Sequence, residues 1–475
     1  MSDADRLRYN QVRARLTAFG QSHVLAFFDQ LDESAQQRLL TQCESIPLEL
    51  LAREVNRWRD HHTLERVTHA PIEPARVVAA RDVDVATYRA LGERMLREGR
   101  VACFTVAGGQ GTRLGWDAPK GTFAATPILR KSLFQVFAET IRSARLRWQC
   151  SIPWYVMTSP QNHEATRRFF AEHDWFALEN STVRLFEQGT LPSLTPDGKI
   201  LLAQRDAIAL NPDGHGGAIR ALNASGALAE MERESIDTIS YFQIDNPLVK
   251  AIDPLFLGLH AAHPESSGEV SSKAVAKRDQ HEKVGVFCRR ADRSMVMEYS
   301  DLPPNLAQAT HADGTLVHSA GSIAIHLFAR RFLEEIARAG HELPLHCASK
   351  RVPSIDLETG LLNESPTSSA IKLESFIFDT LPLAKRSLIL ETSREEEFAP
   401  IKNALGDDSP QTSAQAQSDR AARWLEHCGA AVARDSHGGY AATLELSPLT
   451  ALDTEQLARH PRLPSRVDAG SRLAL

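Results

Sequence analysis

The chain has 475 residues, enough for two or three domains, and its 43% hydrophobic and 24% charged content is that of an ordinary globular protein. A formal net charge of -6 and a pI near 6.3 give no electrostatic reason to expect nucleic acid or an anionic membrane as a partner, so any affinity for phosphate has to be local. No run approaches the ~20 apolar residues of a membrane helix, no basic-apolar-small leader opens the chain, and Cys43, Cys103, Cys150, Cys288, Cys347 and Cys428 are scattered without CxxC spacing; a cytoplasmic protein with reduced thiols is expected, not a disulfide framework or a zinc site.

Through residue 65 the apolar positions recur every three to four residues, as in Leu7, Val12, Leu16 and Phe19, then Leu25, Phe28 and Leu31. Gly20 and Pro47 punctuate them, and Asp32-Glu-Ser-Ala reads as a further helix start. A small helical region therefore precedes the main fold. The adjacent pair His61-His62 cannot put both rings on one helical face and is given no metal role. Pro71 and Pro74 mark a linker or edge crossing, and Thr87 to Glu98 makes one more amphipathic helix.

That helix delivers the chain to Val101-Ala-Cys-Phe-Thr-Val-Ala107, an apolar, β-prone run that stops abruptly at Gly108, as a buried parallel strand does where it empties into a loop. Gly108, Gly109 and Gly111 strip side chains from the backbone, so that its amides can approach an anion. Arg113 and Lys120 add two positive charges close by, and the ligand expected is a polyphosphate. The dinucleotide fingerprint Gly-x-Gly-x-x-Gly is absent, because Leu114 stands where its third glycine belongs and Gly115 comes one residue late. A Walker A loop is absent too.

Downstream, Lys131 to Ile141 is an amphipathic helix, and Trp154–Thr158, Val183–Phe186, Thr238–Ile244, Val284–Phe287 and Ser322–Leu327 are strand candidates separated by helical or loop segments. Such alternation predicts an α/β fold with a mostly parallel sheet and ligand loops at the carboxyl ends of its strands. Ser387–Glu391 is one more strand, the polar stretch Asp407 to Asp419 reads as a loop, and the tail after 420 mixes a helix with short strands and turns. The division expected is an N-terminal helical region (1–98), a central domain (99–385) and a small C-terminal α+β domain (386–475).

Ala107-Gly-Gly-Gln-Gly-Thr-Arg-Leu-Gly115 with Pro119-Lys-Gly121 resembles the signature of eukaryote-type UDP-sugar pyrophosphorylases, most closely the UDP-N-acetylhexosamine pyrophosphorylases. Phe186-Glu-Gln188, Pro212-Asp-Gly-His-Gly-Gly217, Gln243-Ile-Asp-Asn246, Glu298-Tyr-Ser300, Lys372-Leu-Glu-Ser-Phe-Ile-Phe378 and Glu397-Phe-Ala-Pro-Ile-Lys-Asn403 match further motifs of that family in the same order. The similarity spans roughly residues 90 to 415. It implies a Rossmann-like, GT-A-like nucleotidyltransferase domain, with UTP and a sugar 1-phosphate as substrates, UDP-sugar and pyrophosphate as products, and Mg²⁺ (or Mn²⁺) as cofactor.

In that light Gly108, Gly109 and Gly111 cradle the nucleotide, and Gly108, Gly109, Gln188 and Gly214 meet the uracil, for which an amide side chain offers both a donor and an acceptor. Arg113, Lys120 and Lys372 are the catalytic phosphate-facing cations, with Lys402 a weaker candidate. Asp245, ending an apolar strand, either holds the metal against phosphate oxygens or caps the Asn246-Pro247 turn. His215, Glu298, Ser322, Phe376 and Phe378 fall to the sugar pocket, although two phenylalanines at i and i+2 can equally be one face of a strand.

Three positions depart from the N-acetylhexosamine pattern. His215 stands where that branch commonly has Asn and the UDP-glucose enzymes have His, Ser322 replaces another usual Asn, and Asp407 replaces a Lys. A neutral His215 can still donate to a sugar hydroxyl, and near phosphates its protonated form is expected to be favoured. The reading is a uridylyltransferase acting on N-acetylglucosamine 1-phosphate, with a UTP–glucose-1-phosphate uridylyltransferase as the alternative. A non-catalytic UDP-sugar sensor on the same fold is the alternative of another class.

Overall fold

The computed structural model describes residues 2–63, 71–338, 343–363 and 370–475, with 58–63 as backbone only, so the His61-His62 side chains lie outside the described residues. The chain divides into two compact units. One comprises Met1–His69, Gly189–Ala218 and Leu343–Ile377, the other Ala70–Gln188, Ile219–Glu342 and Phe378–Leu475.

The larger unit is built on a twisted sheet. Its labelled strands are β1 (Val101–Val106), β2 (Trp154–Thr158), β3 (Val183–Glu187), β4 (Thr238–Gln243), β5 (Val270–Ala276), β6 (Ala320–Ala329) and β7 (Ser387–Glu391). They lie in the order β7-β5-β6-β4-β1-β2-β3, with the short strand Val78–Ala79 beyond β7. Pairing is parallel except at β6, which runs against both β4 and β5. The sheet is therefore mixed and mostly parallel, as the alternation of elements predicts. Its central strand β1 is buried on both faces, which is why Val101-Ala-Cys-Phe-Thr reads as an almost unbroken apolar run.

Helices cover the sheet with their apolar stripes. Phe134, Phe137 and Ile141 of the Leu133–Trp148 helix, Met95 and Leu96 of the Val85–Arg97 helix, and Phe256 of the Pro254–Ala262 helix share one core with Cys103, Trp154 and Phe242 of the strands. A second core gathers Trp424 and Leu425 with Val432, Leu444, Leu457 and Val467 near the C-terminus.

Two elements differ from the sequence reading. The polar stretch 407–419 is not a loop: Pro410–His427 is an 18-residue helix. Ser409 caps it with a capping box, Pro410 occupies its first turn, and its inner face is made of small residues, Ser413, Ser418, Ala421 and Ala422, that carry no hydrophobic signal. Strand β5 was hidden because Ser271-Ser-Lys273 interrupts its apolar pattern, yet all three side chains are buried.

In the smaller unit, the helices Asp3–Ala18, Glu33–Ser45 and Leu48–Thr63 form as their periodicity predicts, and Asp32 caps the second by accepting the Ala35 amide at 2.8 Å. Their apolar faces pack with short strands from 189–218 and 343–377, through Leu16, Leu39, Leu40, Leu191, Ile208 and Leu373. The antiparallel pair Leu345–Lys350 and Ala370–Ser375 is the longest of these.

Candidate active site

Strand β1 lies between β2 and β4, and the chain passes from β1 out through β2 and β3 before it returns to β4 on the other side. The carboxyl end of β1 is thus a switch point in strand order, where neighbouring loops diverge and leave a crevice. The Gly-rich loop leaves β1 there, Gln188 follows β3, and Asp245 follows β4.

The loop is held by a hydrogen-bonded frame. The Gly111 amide donates to the Ala118 carbonyl at 3.0 Å and the Lys120 amide to the Gly109 carbonyl at 3.1 Å. Asn162, fully buried beneath it, accepts from the Ser159 amide at 2.8 Å and donates to the carbonyls of Ala107 at 2.9 Å and Gly109 at 3.3 Å. The amides of Gly108 and Gly109 make no hydrogen bond among the described residues and are the donors left for a ligand. Gly111 has another task. Its amide is engaged, and a Cβ on it would come within 2.8 Å of Trp116, so it shapes the loop and does not line the nucleotide cradle as the sequence suggests.

Gln188 lies beside the Gly-rich loop. Its Oε1 lies 2.5 Å from where a Cβ on Gly108 would sit, so its amide folds over the glycine backbone. Lys120 and Asp245 meet directly, Nζ to Oδ2 at 3.3 Å, with both side chains mostly buried. Arg113 is exposed on the short turn Thr112–Leu114 and pairs with no carboxylate among the described residues. Next to the pair lies a cavity of about 130 Å³ lined by Asp245, Lys283, Gly285, Ser322 and Lys402. The Ser322 amide donates to the Gly285 carbonyl at 2.7 Å, and the Glu298 carboxylate lies 3.5 Å from the place of a Gly285 Cβ. Ser322, Glu298, Asp245 and Lys402 are thereby brought together. Lys402 also pairs with Asp408 at 3.5 Å.

The remaining candidates, Phe378 excepted, cluster in the smaller unit. Gly214 has φ +84°, and a Cβ there would come within 2.3 Å of the Ser375 carbonyl, so only glycine lets this loop lie against the Ala370–Ser375 strand end. His215 Nδ1 accepts the Ile377 amide at 3.0 Å, and its ring stacks on Phe376 at 5.1 Å, with His346 packed 4.4 Å from Phe376. Burial pushes the His215 imidazole down to about 4, against the pull of Glu374. Burial thus favours the neutral ring, with Nδ1 occupied as an acceptor and Nε2 left to carry the proton, and a phosphate beside it would work against that burial. Lys372 forms an ion pair with Glu374 at 2.5 Å. Phe376 and Phe378 do not share a strand face, since the strand ends at Ser375 and Phe378 sits in the turn Ile377–Leu383 of the larger unit.

Two residues in this region carry no motif. Neither Asn162 nor Lys283 is singled out by the sequence reading.

A sequence model of the UTP–glucose-1-phosphate uridylyltransferase family matches residues 49–407. The chain belongs to this family. It is 37% identical over 456 residues to human UDP-N-acetylhexosamine pyrophosphorylase-like protein 1, covering 92% of this chain and 89% of the human one. It is 38% identical over 358 residues to the UDP-N-acetylglucosamine pyrophosphorylase of Saccharomyces cerevisiae, covering 73% and 74%. Among solved structures, the uridine diphosphate N-acetylglucosamine pyrophosphorylase of Trypanosoma brucei in complex with an inhibitor superposes with TM-score 0.80 at 26% identity, over 98% of each chain. This uridylyltransferase thus shares both sequence and fold with its relatives over most of its length.

Proposed function

We propose that the protein joins UTP to N-acetylglucosamine 1-phosphate, giving UDP-N-acetylglucosamine and pyrophosphate. The observation that carries the reading is the Lys120–Asp245 pair at the switch point, one step from the free amides of Gly108 and Gly109 and from Gln188. Gln188 and the two glycine amides read the uracil edge, the same two amides also approach the phosphates of UTP, and Lys120 and Arg113 meet those of the leaving group. A phosphate oxygen of the sugar 1-phosphate attacks the α-phosphorus, the bond from that phosphorus to the bridging oxygen breaks, and pyrophosphate departs with the electron pair. The attacking oxygen is already anionic, so no base has to remove a proton. Lys120 offsets the charge that grows on the leaving group.

No group of three or more His, Cys, Asp or Glu side chains suited to a metal occurs among the described residues. One oxygen donor suits Mg²⁺ (or Mn²⁺), which keeps several waters and binds through one carboxylate together with substrate phosphates. Asp245 would hold it, and when bound the ion supplies charge neutralisation at the α-phosphate. A cytoplasmic location goes with this reading and with six free thiols.

The sugar assignment follows the relatives, and a specific observation favours glucose 1-phosphate as a second reading. His215 is a neutral donor stacked on Phe376, and Ser322 puts a shorter side chain than Asn at the cavity it lines with Asp245, so the Asn contacts of the N-acetylhexosamine pattern are missing at both positions. Lys372 and Phe378 are retained as phosphate and sugar contacts on the motif alone. The test is pyrophosphate release with UTP, Mg²⁺ and a panel of sugar 1-phosphates. Turnover is expected with N-acetylglucosamine 1-phosphate at the highest kcat/KM. A higher value with glucose 1-phosphate replaces the sugar assignment, and UDP-sugar binding without turnover on any substrate leaves only a sensor.

A further inference from the structure

Lys273 on β5 is completely buried, an unusual place for an ammonium group. Its Nζ lies 2.6 Å from Asp253 Oδ2 and 2.8 and 2.7 Å from the two carboxylate oxygens of Glu397. Burial alone would push Lys273 down, but the two carboxylates outweigh it and hold the ammonium above its ordinary value. Every member of the cluster is tied to something else. Asp253 caps the Pro254–Ala262 helix, and Thr392 Oγ1 donates to Glu397 Oε1 at 2.7 Å.

The importance of Glu397 lies in its backbone. Its carbonyl accepts Asn246 Nδ2 at 2.7 Å, the Ala399 amide donates back to Asn246 Oδ1 at 3.0 Å, and the Ile401 amide donates to the carbonyl of Asp245 at 2.8 Å. Segment 397–401 therefore clasps the turn that carries Asp245 at three points, then delivers Lys402 into the same cavity that Asp245 lines. From the other side, Arg420 donates to the carbonyls of Leu248 and Glu396 at 3.1 and 3.2 Å, and Trp424 Nε1 donates to Glu396 at 2.8 Å. The segment is thus a strap whose buried end is anchored chiefly on Lys273, with Lys250 Nζ 3.9 Å from the same Glu397 carboxylate.

We propose that Lys273 is a positioning residue for the transfer reaction: through Glu397 it fixes the strap that sets the Asp245 carboxylate and Lys402 against the phosphates. A buried ion pair of this kind is weak evidence for added stability, since apolar replacements are often neutral, whereas a site that must hold a carboxylate in one geometry has a use for it. The inference rests on the reading of Asp245 as the metal carboxylate. It extends to two further side chains, Asn246 and Thr392, which transmit or support the anchor.

The test compares wild type, Lys273→Met, Thr392→Val and Asp245→Asn for thermal midpoint, kcat, KM for UTP, and Mn²⁺ affinity in the presence of UTP, read by electron paramagnetic resonance of the free ion. Lys273→Met is expected to weaken Mn²⁺ binding and lower kcat by ~10–100-fold, the range for residues that support a metal ligand, while KM for UTP moves less than about threefold because the uracil contacts lie on the β1 and β3 side. Thr392→Val, a much gentler change, moves the same two quantities in the same direction, and it decides the matter should Lys273→Met fail to fold. A lowered thermal midpoint with unchanged Mn²⁺ affinity and kcat per folded molecule would make Lys273 a stability residue and overturn the proposal. Unchanged Mn²⁺ binding in Asp245→Asn overturns instead the metal reading beneath it, whatever Lys273→Met does.

Discussion

Lys120 Nζ and Asp245 Oδ2 face each other at 3.3 Å across the carboxyl ends of the two adjacent parallel strands β1 and β4. The two side chains meet in a mostly buried place. On the proposed reading a phosphate would be the lysine's partner and a cation the carboxylate's, so that substrate binding would split the pair.

Removing either partner leaves the other uncompensated and deprives the transition state of a fixed charge. Lys120→Ala and Asp245→Asn are each expected to lower kcat by ~10²–10³-fold with the fold intact. Because the two act as a unit, the double variant should cost well less than the product of the single effects. Steady-state rates of pyrophosphate release measure all three, and multiplicative losses would show that the residues act independently.

Gly108 is a sharper probe of base recognition than of stability. A methyl group at 108 would come 2.5 Å from Gln188 Oε1, the far end of a side chain that can swing away. Gly108→Ala should therefore fold with little loss while it moves the amide meant for the uracil, raising KM for UTP about tenfold with kcat changed far less, a loss of ~1.4 kcal/mol in binding. Gln188→Leu should do the same. An unaltered KM in both variants would remove this corner from the nucleotide site.

The reading of the larger unit from sequence succeeded where one signal dominated. The apolar run of β1, its abrupt end at Gly108 and the alternation that follows predict a mostly parallel sheet, and the sheet order then puts Gln188 and Asp245 where that loop opens. It failed where polar side chains serve the interior. Ser271, Ser272 and Lys273 are buried but read as a surface stretch, and Ser413 and Ser418 pack the inside of a helix that looks like a linker. Nor could periodicity announce that 189–218 and 343–377 pack with the N-terminal helices, since such strands are two to six residues long and their partners distant in sequence. The burial of His215, and with it the desolvation that favours its neutral form, is not visible in its motif.

That neutral His215 has a pH signature. Its folded-state value near 4 lies below the ordinary ~6.5 of the unfolded chain. Between those values the unfolded state binds a proton that the folded state refuses, so stability is fully present above about pH 6.5 and falls as the pH drops toward 4. Thermal midpoints measured from pH 7.5 to 4.5 should decline on acidification, and His215→Phe should flatten part of that decline. His260, likewise held down to about 4 by burial, supplies a further part. Equal slopes in wild type and variant would mean that His215 titrates normally.

The Pro410–His427 helix gives a prediction confined to stability. Ser409 Oγ accepts the Thr412 amide at 3.3 Å and the Thr412 hydroxyl accepts the Ser409 amide at 3.0 Å. Ser409→Ala should cost ~1 kcal/mol in urea unfolding, with KM for UTP unchanged. A loss near zero would mean that the cap is replaced by water.

Asn162 links the fold of the loop to its chemistry. Its carboxamide is buried and satisfies three backbone groups, one on each side of the two amides left for the nucleotide. Asn162→Ala leaves these groups unpaired, at ~1–3 kcal/mol for a buried unsatisfied partner, and frees the glycines to wander, so KM for UTP should rise along with the loss of stability. Asn162→Asp separates the two effects. It preserves the acceptor for the Ser159 amide and nearly the same shape, but it sets a carboxylate against the carbonyls of Ala107 and Gly109 beneath a phosphate cradle. If the loop amides bind the phosphates of UTP, the aspartate variant should show a larger rise in KM than the alanine variant, and raising the salt concentration should narrow the gap by screening the repulsion. Equal KM values in the two variants would place the phosphates of UTP away from Gly108 and Gly109.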